Sequence, residues 1–438
     1  MRTMAWLHNL WNKLPRKLRV LLRYYKHEAI NFKKIIVHFF TWLWRSFLTG
    51  VAIGLVGIAF RLSLDYVTQQ RQDHNWLFYL MPVGGVLIVF LYHICGVNES
   101  RGTNLVLSAV RMEEKVPFLM APLIFISTLI THLTGGSAGR EGAALQIGGS
   151  LAQWSGRIRE MDDKDINILT MCGMSACFSA LFGTPIGAAI FAIEVISVGV
   201  MYYSALLPCT ISAVTAGYIA HAFSLPNEFA SISTATAFNI VTTLQVLGLA
   251  AGCALISVLF CRVLKLSHKL FNLIKNQYFR ILLGSVLIIG IVLLCGNRSA
   301  LGAGLDTINQ ALSGVANWQD FVLKILLTAI TIAAGFKGGE IVPAFFVGAV
   351  FGCWFGDLIG MNPSFAAGVG MISVFCGVTN CPLASLLMAC ELFGYRGIPY
   401  FLLAIATSYL LSGYSGFYST QKIVYSKYKP EFINIHTK

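Results

Sequence analysis

Apolar positions in this chain come in long unbroken runs rather than in the alternating rhythm of a half-exposed strand. Residues 166–193, 229–261, 358–390 and 397–421 contain no Asp, Glu, Lys or Arg, and each run exceeds the roughly 20 residues a helix needs to cross a hydrocarbon core. Without alternation they predict spanning helices, not barrel strands. Glycine and proline interrupt several runs, at Gly183 and Pro185, at Gly338, Gly339 and Pro343, and at Pro382. The pattern therefore predicts broken helices that stop inside the membrane. Spanning and half-spanning segments are expected at 46–66, 78–97, 104–113, 117–134, 142–155, 168–181, 185–199, 203–223, 243–266, 279–296, 321–335, 341–359, 366–379, 383–395, 399–412 and 417–426.

The pattern also repeats. GREGAALQIGGSLAQW at 139–154 lies over GEIVPAFFVGAVFGCW at 339–354, so that Gly139, Gly148 and Trp154 recur as Gly339, Gly348 and Trp354. GTPIGAAIFAIE at 183–194 pairs with NCPLASLLMACE at 380–391, each with a proline nine residues before a glutamate. A membrane domain of 46–426 thus divides into two repeats, roughly 46–223 and 243–426. Repeats with broken helices mark secondary transporters and related channels, whose sites lie near the midplane where half-helix N-termini meet. The expected fold class is an all-α membrane protein with inverted repeats and many tilted, half-spanning helices.

Composition agrees: of 438 residues, 56% are hydrophobic and 12% charged, and the mean hydropathy is +0.70. Charge then sets orientation. The segment 1–45 holds ten Lys or Arg (Arg2, Lys13, Arg16, Lys17, Arg19, Arg23, Lys26, Lys33, Lys34 and Arg45) against Glu28, which predicts a cytoplasmic N-terminus with a basic amphipathic helix on the lipid surface. A nucleic-acid site is the lesser alternative and is not expected. A second basic run, Arg262, Lys265, His268, Lys269, Lys275 and Arg280, marks a connection on the same side, and the tail 427–438 is expected there too. No cleavable signal peptide is expected. The eleven cysteines, among them Cys172, Cys177, Cys253 and Cys376, lack metal-site spacing and read as small core residues. Neither a metal nor a cofactor is expected.

Chemistry concentrates at the repeated glycines. A helix start leaves about four amides without partners and carries roughly half a positive charge, so two helices starting at residues 139–142 and 339–343 and pointing inward from opposite leaflets would aim their amides at one place. Anions bind such ends. Gly139, Gly142 and Gly339 let the backbone approach closely. Glu141 stands where the anion should be: its carboxylate can occupy the helix end and leave on protonation, coupling proton to anion. The alternative is that Glu141 only caps the helix or pairs with Arg140. Arg140 is expected to hold the loop through carbonyl contacts.

At these residues the sequence resembles the chloride channel and transporter (CLC) family, from about residue 46 to 425. GSAGREG at 136–142 corresponds to the family's GREGP segment, whose gating glutamate falls on Glu141. GGEIVP at 338–343 corresponds to its GxFxP segment, and GFYST at 416–420 to the segment whose anion-coordinating tyrosine falls on Tyr418. The resemblance implies a homodimer with one anion pathway per subunit. Its anion-binding set would be Thr103, Asn104, Gly139, Arg140, Gly142, Gly339, Ile341, Val342 and Tyr418.

The departures narrow the reading. The family's filter GSGIP is here GTNLV at 102–106, with Thr103 in place of serine and Asn104 beside it. The phenylalanine of GxFxP is Ile341, the proline after GREG is Ala143, and the inner proton glutamate is Val195. That combination resembles the bacterial fluoride/proton antiporter branch of the family. Fluoride is small and strongly hydrated, and an Asn amide, hydroxyls and an aromatic ring edge could replace its water. The expectation is a secondary antiporter, not an enzyme, that exports fluoride against protons from a bacterial inner membrane. A chloride or nitrate transporter or a passive anion channel is the alternative within the family. A cation or organic-solute carrier would want acids at the helix breaks, and a pump would want a phosphate-binding loop with its lysine. No nucleotide-binding module is expected after Tyr425.

Other residues carry weaker signals. Glu194 and Glu391 are equivalent in the repeat and should share a structural task at helix ends. Lys337 and Glu340 flank the second helix start, as mouth residues or as a surface pair. Tyr414 and Tyr425 compete with Tyr418 for the tyrosine role. His132 reads as a hydrogen-bonded core residue.

Overall fold

The computed structural model describes residues 15–97, 102–223, 225, 229–232 and 239–437. Arg2 and Lys13 of the basic segment, and Lys438 of the tail, lie outside the described residues. Sixteen α-helices are described. The first eight are α1 (Arg16–Asp73), α2 (Met81–Ile94), α3 (Thr103–Val110), α4 (Met120–Leu133), α5 (Glu141–Ile158), α6 (Asp163–Phe182), α7 (Pro185–Glu194) and α8 (Leu206–Ala222). The others are α9 (Ile240–Phe271), α10 (Gln277–Cys295), α11 (Leu305–Leu312), α12 (Trp318–Ala334), α13 (Ile341–Leu358), α14 (Pro363–Thr379), α15 (Pro382–Phe393) and α16 (Ile398–Leu411). Seven helical stretches among the described residues are long and apolar enough to span a membrane.

Small residues bring the helices together. At Gly148 and Gly173 the backbones of α5 and α6 approach so closely that neither position has room for a Cβ, and Gly348 and Gly370 do the same between α13 and α14. Without a hydrophobic drive between helices in lipid, such close packing is a main source of cohesion. The breaks also match. Gly183 ends α6 with φ 69° and Asn380 ends α14 with φ 60°, each two residues before the proline that opens the next helix. Glycine and asparagine are the residues that tolerate that left-handed turn.

The two glutamates then cross over. Glu391, at the end of α15, accepts hydrogen bonds from the amides of Ile186 and Gly187 at 2.8 and 2.7 Å. Glu194, at the end of α7, accepts from Leu383 and Ala384 at 3.1 and 2.8 Å. Each repeat's carboxylate caps the other's broken helix, which is the shared helix-end task expected of them. Cys172, Cys177, Cys253 and Cys376 are buried as expected.

The described part of the basic segment is helical and α1 runs from it into the first spanning run without a break, because the chain from Arg16 to Leu48 holds neither glycine nor proline. Two expectations need correction. The segment 417–426 is not helical. Gly413 (φ 58°) and Gly416 break the chain after α16, and the β-branched run that follows forms a strand, β2 (Lys422–Tyr425), parallel to β1 (Ser197–Val198) and antiparallel to β3 (Phe432–His436). The tail is therefore folded back onto the membrane domain. Finally, α11 was not expected, its short LDTINQAL carrying too few apolar residues; a shift of about 200 from α3 would have found it.

The crossed caps generate a test. Glu391→Ala strands two amides of α7, at a cost of about 1–3 kcal/mol, and the protein should melt several degrees lower in detergent, with Glu391→Gln in between. Equal melting of all three would mean that the amides find other partners.

Candidate anion-binding site

The two repeats touch where both chains are extended just before α5 and α13. The amide of Gly139 donates to the carbonyl of Gly339 at 2.7 Å, and the amide of Gly339 donates back to Gly139 at 2.8 Å, an isolated antiparallel bridge. This bridge fixes both helix starts side by side. The Glu141 side chain fills the space between them: Oε2 accepts from the Arg140 amide at 2.8 Å, and Oε1 from the Ile341 amide at the start of α13. The carboxylate is fully buried, which only donors from the two helix ends make tolerable.

The glycines are explained by that side chain. A Cβ at Gly139 or Gly339 would collide with the Glu141 carboxylate, and one at Gly142 would lie 2.9 Å from Thr103 Oγ1 and 3.0 Å from Gly339 Cα. Both helix starts thus approach the carboxylate with nothing but backbone.

Two cavities flank this point, and neither is lined by Glu141. The one near the α9–α10 connection is about 470 Å³ and is lined by Thr103, Asn104, Tyr418 and Gly338, with Lys337 and Glu340 at its wall. The opposite cavity, about 740 Å³, is lined by Arg140, His132, Arg71 and Arg298 together with Asp65 and Asp306. Arg140, next to the carboxylate, lines one cavity, and Gly338 and Glu340, next to its amide donors, line the other.

The sequence-predicted residues divide accordingly. Gly139, Gly142, Gly339, Ile341 and Val342 form the cradle through their backbone. Thr103 and Asn104 open α3 just below it, and Tyr418 is buried beside them. Tyr414 Oη is 2.8 Å from Ser426 Oγ and Tyr425 meets Phe432 edge to face, and neither lines the cavity that Tyr418 does. Arg140 contributes its amide, and its guanidinium reaches Asp65 Oδ1 at 3.3 Å and lies 6.0 Å from the Phe182 ring centroid. Lys337 and Glu340 form no ion pair with each other among the described residues; Lys337 Nζ lies 4.7 Å from the Tyr92 ring centroid. His132 is buried, its Nε2 3.4 Å from the Gly139 carbonyl, as a core histidine should be. Val195, in the inner glutamate position, is buried and its carbonyl accepts from Gln421 Nε2 at 2.8 Å.

Sequence reasoning missed the supports. Thr420 donates its amide to Asn104 Oδ1 at 3.2 Å and places its hydroxyl 3.0 Å from the same oxygen, which turns the Asn104 NH₂ away from Thr420. The loop carrying Tyr418 is pinned by Phe417 donating to Val378 at 3.0 Å and by the Thr437 hydroxyl donating to the Tyr418 carbonyl at 2.5 Å. Arg111 and Lys422 both bond Glu113, tying α3 to β2, and they hold its carboxyl down at about 2. Lys324, the one charged residue in the run 321–334, is buried and donates to the carbonyls of Ala300 and Gly302 at 3.1 and 2.7 Å. A lone charge in an apolar run was the signal for Lys324; a hydroxyl two residues after the tyrosine was the signal for Thr420.

Comparison with known proteins places this geometry. The chain is similar to a chloride/fluoride channel protein of Pseudomonas syringae pv. tomato, 33% identical over 399 residues that cover 88% of this chain and 87% of the relative. Among solved structures it is similar to a CLC-type fluoride/proton antiporter, with a TM-score of 0.84 and 29% identity over 87% of this chain and 98% of that one. A slow cyanobacterial Cl⁻/H⁺ antiporter shares the fold, with a TM-score of 0.72 and 18% identity over 85% and 94%. The family model described as voltage gated chloride channel matches residues 84–413, and with that match the chain belongs to the voltage gated chloride channel family, the CLC proteins.

Proposed function

We propose that this protein is a secondary antiporter that expels fluoride in exchange for protons. The observation that carries the reading is the Glu141 carboxylate held on the amides of Arg140 and Ile341, where a small anion would be held. An anion and a carboxylate with the same charge cannot share that seat. Protonation removes the charge of Glu141 and with it the reason to stay, so the side chain leaves as the anion takes the amides. Val195 offers no carboxyl for a separate proton route. Glu141 itself therefore swings toward the cavity beside Thr103 and Tyr418, releasing its proton there.

Fluoride, rather than chloride, follows from the donors. Asn104 keeps its NH₂ turned from Thr420, and Thr103 adds a hydroxyl. Compact donors close to a narrow backbone cradle suit a small, strongly hydrated ion. The similarity to a chloride/fluoride channel protein and to a fluoride/proton antiporter supports the same ion. The basic segment and the α9–α10 connection support a cytoplasmic position for the 470 Å³ cavity, in a bacterial inner membrane. We further infer a membrane domain of two halves, 46–223 and 243–426, and an assembly of two copies with one path each.

Three outcomes are expected. In proteoliposomes, fluoride efflux should exceed chloride efflux by a wide margin and drive protons the opposite way; equal chloride flux would assign the chain to chloride. Thr103→Ser alone should leave fluoride preference in place, because Asn104 and Ile341 remain, and a complete switch to chloride would refute that division of labour. Glu141→Gln cannot titrate near neutral pH and should stop both fluxes, while Glu340→Gln serves as the comparison. Coupled transport surviving in Glu141→Gln would remove Glu141 from the mechanism.

A further inference from the structure

We propose that the last turns of α9 form an anion-collecting site centred on Lys265, which draws a small inorganic anion into the cavity leading to Asn104 and Tyr418. The proposal rests on the anion-transport reading above and deepens it. Its starting point is the basic run after residue 261, whose charge orients the chain but whose geometry does more. Helical spacing splits the run: Arg262 and Lys269 are exposed, whereas Lys265 and His268 follow the buried Cys261 and Leu264 around the inner face. Both line the 470 Å³ cavity.

Lys265 is the unusual member. Its Nζ is shielded from solvent and has no hydrogen-bond partner among the described residues. An ammonium has three donors to satisfy, and leaving them all unmet inside a protein is costly. The donors around it do not answer this, but an anion in the cavity does. Lys337, from the loop before α13, faces the same space, and Glu340 is the one carboxylate among the described residues lining it. Two lysines against one acid make a cleft that favours anions and raises their local concentration. The exposed Asn272 marks where this cleft opens.

The site differs from the cradle around Glu141 in what it can bind. The cradle offers aligned backbone amides and strips an ion of its water; Lys265 offers a flexible point charge that a hydrated anion can meet first. Its effect belongs in the half-saturating concentration and not in the maximal rate.

The test uses the full chain in proteoliposomes, with flux started from the side of the α9–α10 connection and both fluoride and chloride as probes. Lys265→Gln should raise the half-saturating fluoride concentration on the order of tenfold with the maximal rate unchanged, and Lys265→Arg should restore it. Raising an inert gluconate salt should close the gap, because screening weakens the field. Should the chain move chloride in place of fluoride, the fluoride reading fails while the chloride series still tests the lysine. An unchanged half-saturation for the transported anion in a folded Lys265→Gln protein, or a loss of maximal rate alone, overturns the site. Wild-type half-saturation that ignores salt overturns it as well.

Discussion

A single buried carboxylate organises this structure. Glu141 has no solvent around it, and its charge is met by amides from two helices that belong to different repeats. Everything nearby serves that meeting. The Gly139–Gly339 bridge sets the distance between the helix starts, the glycines leave room for the oxygens, and tight pairs of glycines between α5 and α6 and between α13 and α14 hold the helices at the required depth. Without the carboxylate, the amides would face one another across an empty gap. That is why a buried acid can be stable there.

The supports form a second circle whose logic is symmetry. Glu194 and Glu391 cap each other's helices across the repeat boundary, so neither half of the core is complete alone. The end carrying Thr103 and Tyr418 is tied down by contacts of its own. Thr420 holds Asn104, Thr437 holds Tyr418, and Glu113 links α3 to the strand that follows the tyrosine. The Glu141 seat is thus built from both repeats, while the wall carrying Thr103, Asn104 and Tyr418 is fixed by α3 and the folded-back tail.

Much of this was legible in residues alone. Charge-free runs placed the helices, Gly139 and Gly339 gave the repeat, and the lone acid among glycines pointed to the seat. What stayed hidden was hidden for physical reasons. The helix α11 is short and polar enough to fall below any hydropathy threshold, and only the repeat offset betrays it. The stretch after Gly416 has the apolar content of a helix, yet its β-branched residues and broken start send it into a strand, a choice made by pairing with β1 and β3 that no local window contains. Likewise the destination of the Arg140 guanidinium depends on Asp65, some 75 residues away in sequence. The inward turn of Lys265, by contrast, was readable from helical period; it was masked by the plainer use of a basic run as a sign of orientation.

The central claim is that the Glu141 carboxylate and the transported anion compete for one set of amides, with a proton settling the exchange. It is tested most directly by measuring proton uptake as fluoride is added to the purified, weakly buffered protein. The account predicts that protons are taken up as fluoride binds, and that uptake vanishes in Glu141→Gln. Fluoride binding with no proton uptake in the wild type, or with equal uptake in the variant, would contradict it.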